Sequence, residues 1–425
     1  MSKSALFATT VLLALAAAPA VRAQQAPEPK AILETYASIG QAMFEDAHAA
    51  GRQLKVAVDA LLAEPSEAKL AAARAAWRAA RPWYLHTEPF RFGNKIVDEW
   101  EGRVNAWPLD EGLIDYVDVA SYGDSSDENP LYRANVIGSR TVRIGKKLVD
   151  ASRITKALLA KTLHEAGGVE ANVATGYHAI EFLLWGQDLN GTSPGAGARP
   201  ATDFMLKGCS NQNCDRRRDY LAAATDLLVE DLAEMAAAWK PGGKARKALA
   251  ARGTGGLAVI PTGIGSLSYG ELAGERMKLG VLLHDPEEEQ DCFSDNTHNA
   301  HVEDQVGMMA VWTGRYTRLD GSVVSGPSLA ALAAAKAPDK AARLEAAMKA
   351  AYDRLDAIRQ KGETGGMAYD QMLASGNAEG NKLVLDGVDA LVAQTRALEA
   401  VVADLGLTIE VEDSRSLSDP SAVTR

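Results

Sequence analysis

Residues 30–62 read KAILETYASIGQAMFEDAHAAGRQLKVAVDALL. Ile32, Tyr36, Ile39 and Met43, then Leu54, Val58 and Leu61, recur at three- and four-residue steps, the period of one helix face. At about 1.5 Å per residue such a helix reaches about 45–50 Å. Pro65-Ser66 interrupts it, and Ser66 is placed to cap a second helix from Glu67 to about Leu85. Working outward, helical patterns are expected over 138–166, 168–185, 215–239, 266–283, 298–315, 327–358, 366–375 and 378–404. No stretch alternates apolar and polar residues long enough to demand a strand. The chain therefore reads as all-α, built from long antiparallel helices in bundles.

Composition agrees. The 425 residues are 47% hydrophobic, enough for a real core. Only 7 Phe accompany many Ala and Leu, a mix that favours helix over sheet. The formal net charge of −11 argues against a nucleic-acid partner and suits a protein that handles cations. Residues 1–23 read as a signal peptide: Lys3, an uncharged run from Ala5 to Ala18, and small residues at Val21 and Ala23 before the cut. That run is too short for a comfortable span, and no later stretch provides a transmembrane segment. The mature chain is expected to divide into a first bundle over 30–206 and a second over 207–412. The loop near 186–214 forms the boundary, and a loose polar tail occupies 413–425. In an oxidising compartment Cys209 and Cys214 are expected to form a disulfide, with a metal-binding pair as the weaker alternative. Cys292 reads as a small buried residue.

Chemistry concentrates in Gly176-Tyr177-His178-Ala179-Ile180-Glu181. On a helix, His178 and Glu181 share a face, which makes half of a metal site, or a His–Glu pair that structures a helix interface. Gly176 lets another helix approach closely. The zinc-protease patterns fail: His164-Glu165 is followed by Gly168 where a His is needed, and Phe182 occupies the position of the second His in the inverted form. Other ligands would have to come from elsewhere. The contributors considered are Glu88 and Arg91, Asp110, Ser266 and Arg276, and Ser294, Asp295 and His298. Each of these alone is more simply a cap or salt bridge, but all are polar groups in apolar or aromatic surroundings, where burial demands partners. There is no GxSxG and no P-loop. Gly253 to Gly265 is Gly-rich but lacks Gly-Lys-Ser/Thr, so it offers little for phosphate binding, and helix is expected only after it.

The segment GYHAIEFLLWG at 176–186 resembles the Gly-x-His-x-x-Glu signature of the imelysin family, also called insulin-cleaving membrane proteases. TEPFRFG at 87–93, NAWPLDEGLIDY at 105–116, GSLSYGELAGERM at 265–277 and CFSDNTH at 292–298 extend the resemblance, which points to the iron-regulated protein A branch. The resemblance implies an all-helical fold of two bundles with His178 and Glu181 at or near their interface. It also implies export to the periplasm or outer-membrane-associated envelope and a link to iron uptake. The expected ligand is a metal ion, iron before zinc, or an iron-containing ligand, and a partner would be another envelope iron-uptake protein. Iron accepts mixed imidazole and carboxylate ligation. The alternatives are a metallopeptidase, and a module that binds haem, a siderophore or a partner protein.

Overall fold

The computed structural model describes residues 26–423. The leader reading of residues 1–23 lies outside the described residues. Helix α1 spans Pro29–Ala63, with Pro at its first position, where the missing N–H is not needed. The stripe from Ile32 to Leu61 is buried, as its period requires. Ser66 accepts a hydrogen bond from the Lys69 amide and starts α2, Glu67–Leu85. With α3 (Lys95–Asn105), α4 (Gly176–Trp185) and α5 (Cys214–Trp239), these form the first bundle. Helix α4 lies at its centre: it packs on α2, α3 and α5, and all ten of its residues are buried. The short helix α6, Lys244–Ala251, follows α5.

The second bundle begins with α7, a continuous run over 259–283 whose middle, Leu267–Lys278, is π-helical. Helices α8 (Thr297–Thr313), α9 (Pro338–Glu363) and α10 (Ala378–Leu405) complete it. Helix α10 packs on α9 and on the π-helical stretch, and α8 packs on α9. Helix α8 also lies against α2, so the two bundles meet directly. The division expected at 206/207 falls before α5, yet α5 packs against α1, α3 and α4; helix packing groups it with the first bundle. No helix among the described residues is long and apolar enough to cross a membrane.

Several expectations need correction. The helix expected over 138–166 is helical only over 156–163; it opens instead with a β-hairpin, β1 (Thr141–Ile144) paired antiparallel with β2 (Lys147–Asp150). Its register sets buried Val142 opposite buried Val149, across a two-residue turn in which Gly145 takes φ +57°. The Gly-rich stretch 253–265 is helical, because Ile260 and Ile264 are buried, and Gly263 leaves no room for a Cβ against the Pro89 carbonyl. The tail is not loose through Ser418. The Ser266 hydroxyl accepts from the Glu412 amide (3.1 Å) and the Ser416 hydroxyl donates to Gly274 O (2.8 Å), which docks the tail on α7. Cys209 and Cys214 are joined as a disulfide just before α5, and Cys292 is free and buried.

Candidate metal centre

Gly176 opens α4 with φ +86°, and a Cβ there would lie 2.5 Å from the Val104 carbonyl oxygen. Glycine alone therefore lets α4 start against the end of α3. One turn on, His178 and Glu181 project from the same face. His178 Nδ1 lies 3.0 Å from Glu181 Oε2, and neither side chain is more than 1% exposed.

The facing wall is the turn Cys292–Ser294 and the residue before it, which pack on α4. The Ser294 amide donates to Glu181 Oε1 at 3.0 Å. Asp291 brings Oδ1 to 3.9 Å from His178 Nδ1 and is itself fully buried. Arg81, from α2, grips Asp291 through Nη2 (2.7 Å) and Nε (3.2 Å) and donates to Asn105 Oδ1 at 2.7 Å. Its guanidinium sits among the rings of Trp77, Tyr84 and Tyr177 at 5.1–5.7 Å, a favourable setting for a cation. Asn296 Nδ2 donates to Asp291 Oδ2 at 2.9 Å.

Electrostatics fix the protons. Burial, then the nearby Arg81 charge, pulls His178 down to about 3, so the imidazole is neutral. Burial, then Asp291, pushes Glu181 well above the usual carboxylate range. Burial would also raise Asp291, but the Arg81 charge, helped by His178, outweighs it and holds this carboxyl low. The result is a neutral Glu181–His178 pair beside a charged Asp291–Arg81 pair, the arrangement that limits uncompensated charge in a dry site.

The network continues into the second bundle. Asn105 Nδ2 donates to Glu88 (3.0 Å) and Glu101 (3.1 Å). Glu88 accepts from Arg276 at 2.9 Å, and Arg276 donates to Asp304 (3.1 Å) and Glu271 (2.8 Å). Hydrogen-bonded polar groups thus run from Asp291, which faces α4, to Asp304 on α8.

The donor set suits one ion. An imidazole nitrogen and two carboxylates offer atoms all within 4.8 Å of one another. Ligands about 2.1 Å from an ion lie about 3.0 Å apart at a right angle and about 4.2 Å apart across it, which brackets the 3.0 and 3.9 Å separations here. One nitrogen and two oxygens suit iron or zinc better than a soft ion.

The family model described as imelysin, peptidase M75, matches residues 40–398. The chain belongs to the imelysin family. Over 66 residues it is 39% identical to "Iron-regulated protein A" of Synechococcus elongatus, a stretch that covers 15% of this chain and 18% of that protein. Two solved structures share the fold. A protein of Parabacteroides distasonis described as an iron-regulated protein A precursor is 17% identical, with a TM-score of 0.62 over 89% of this chain and 96% of its own. An imelysin-like protein of Psychrobacter arcticum is 15% identical, with a TM-score of 0.56 over 89% and 98%.

Within this imelysin the residues singled out from sequence separate into groups. His178 and Glu181 come together, Gly176 positions their helix, and Ser294 contributes its backbone amide. Glu88 and Arg276 lie on the network further along. Arg91 faces Asp98, Glu101 and Glu271 instead. Asp110 accepts from Asn129, Ser266 holds the tail, and His298 Nε2 pairs with Glu363 at 3.1 Å, so none of these three reaches His178. Asp295 belongs to another cluster. Asp291 and Arg81 are the participants that sequence reasoning missed. The one available signal for Asp291 was its place immediately before Cys292, in an acidic, irregular segment facing a signature helix.

Proposed function

We propose that this imelysin is an exported protein that binds a metal ion, iron first, as cargo in iron uptake, with His178, Glu181 and Asp291 as ligands between the bundles. The observation that carries the reading is the convergence of His178 Nδ1, Glu181 and Asp291 in a fully buried site. The Synechococcus relative, an iron-regulated protein A that matches over a short stretch, supports the choice of iron. Asp291 orients through Arg81 and Asn296, and the Ser294 amide fixes Glu181, so the donors are held before any ion arrives. The peptidase reading has less support: a zinc hydrolase keeps an open position for water and substrate, and these side chains are closed to solvent. No observation favours haem or a siderophore over a bare ion.

The test is calorimetric titration of chelator-treated protein with Fe(II), Fe(III) and Zn(II), repeated on His178→Ala and Asp291→Asn. Saturable binding that weakens at least about tenfold in both variants is expected. No binding, or binding unchanged in His178→Ala, overturns the reading.

A further inference from the structure

A second group of carboxylates lies at the rim of the bundle interface. Asp188 follows α4, Asp295 ends the turn that carries Ser294, and Asp370 lies in the short helix Tyr369–Leu373 of the second bundle. Their oxygens all fall within 4.8 Å of one another. Asp188 and Asp295 are half-buried, so an ion from solvent can reach them. Asp370 is 2% exposed, and neither of its carboxylate oxygens has a hydrogen-bond partner. The backbone amides of Gln371 and Asp370 lie close enough to favour its charge. Behind the three, Glu289 is also 2% exposed, with an unpartnered Oε1, and Asp370 and Asp295 are the charges that weigh most on it. Asp295 keeps one oxygen on the Gly195 amide (3.1 Å), and Asp188 accepts from the Asn190 amide (2.8 Å). The cation acting on Asp295 is Arg78, whose guanidinium is already engaged by the Ser294 carbonyl.

A buried carboxylate without partners that faces two others, as Asp370 does, is costly unless something positive lies between them. We propose that Asp188, Asp295 and Asp370 form a second cation site, for a hard divalent ion of the calcium type, that clasps the two bundles at their rim. Every donor is an oxygen, which selects calcium-like ions over those that prefer nitrogen or sulfur. Calcium holds oxygens at about 2.3–2.6 Å, so its ligands can lie up to about 5.2 Å apart, which covers the separations here. The site is independent of the His178 reading, since the two clusters share no ligand.

Equilibrium dialysis of the chelator-treated protein against calcium tests the proposal, with His178→Ala, Asp295→Asn and Asp188→Asn measured alongside. Asparagine suits the positive φ of Asp295 (+50°), so that variant keeps its backbone. One saturable equivalent of calcium is expected, retained in His178→Ala and weakened at least about tenfold in each Asp variant. Calcium should also raise the thermal midpoint of the wild type and leave that of Asp295→Asn unmoved. If Asp295→Asn does not fold by circular dichroism, the half-buried Asp188→Asn decides. Absence of saturable calcium binding at millimolar concentration, or binding unchanged in the folded Asp variants, overturns the proposal. Wild-type protein that takes up calcium but no iron would overturn the His178 reading alone.

Discussion

Replacing Gly176 by Ala perturbs the site through one carbon atom. Two penalties add. A non-glycine residue held at φ +86° carries about 1–3 kcal/mol of backbone strain. The new Cβ would also lie 2.5 Å from Val104 O and 2.6 Å from Val104 C, and both are backbone atoms that cannot rotate away. Overpacking of that kind costs about 1–3 kcal/mol. The sum is about 2–6 kcal/mol, or roughly 4–12 °C in thermal midpoint at about 2 °C per kcal/mol. Gly167→Ala is the internal control. It has φ +75° but nothing within 4 Å of its Cβ position, so it carries the strain alone. Guanidinium denaturation of the two variants beside the wild type separates the terms. Gly176→Ala is expected to lose at least about 1 kcal/mol more than Gly167→Ala. Equal losses would refute the claim that close approach of α4 to α3 is what requires glycine at the head of the signature helix.

Arg81→Met leaves Asp291 buried without its partner and should cost about 3–5 kcal/mol in denaturant unfolding, most of it recovered when Asp291→Leu is added; a loss below about 1 kcal/mol would contradict the buried pair. Glu111 is buried, and burial, then Glu287, raises its carboxyl from the ordinary 4.5 to about 8. The folded protein keeps this proton after the unfolded chain has lost it, so the contribution is complete below about pH 4.5 and is lost as pH rises toward 8. Unfolding midpoints between pH 5 and 8 should fall with pH in the wild type and flatten in Glu111→Gln, by up to about 1.4 kcal/mol per pH unit; parallel profiles would refute it. His298→Ala should leave iron titration within about twofold of wild type, because its ring is committed to Glu363; a tenfold loss would mean that His298 reaches the site.

The helical architecture was legible where a single amphipathic stripe decides the element. α2 matches its expected bounds, and α1, α5, α8 and α10 lie within about two residues of theirs, because periodicity and caps such as Ser66 act locally. The hairpin at Thr141–Asp150 was missed because its strands are four residues long, too short for alternation to stand out. The helix within Gly253–Gly265 was not anticipated because glycine composition hides that Gly263 serves close packing against Pro89. Half of the candidate site was visible as an i, i+3 pair. Its other half comes from Asp291, 110 residues after Glu181, and from Arg81, about a hundred residues before. Neither residue carries a local pattern, and only the tertiary fold brings them to His178.

Burial favours holding an ion over turning over a polypeptide. Glu181 and His178 stand on α4, in the first bundle, whereas Asp291 and the Ser294 amide come from the segment that leads into α8 of the second. With all three candidate ligands at 1% exposure or less, an ion can enter or leave only if the packing around them opens, and a lift of that segment from α4 is one way to do so. Such a lift breaks the Ser294–Glu181 bond and pulls Asp291 away from His178, so access and ligation are opposed by construction. A hydrolase needs the reverse: its general base must stand about 3 Å from a water that also touches the substrate, and therefore needs an open, ligated state. A carrier or store is served by the opposition, because an ion held only when the bundles are closed is released when they part. The unbroken polar path from Asp291 through Arg81, Asn105 and Glu88 to Arg276 and Asp304 ties that closure to both bundles at once.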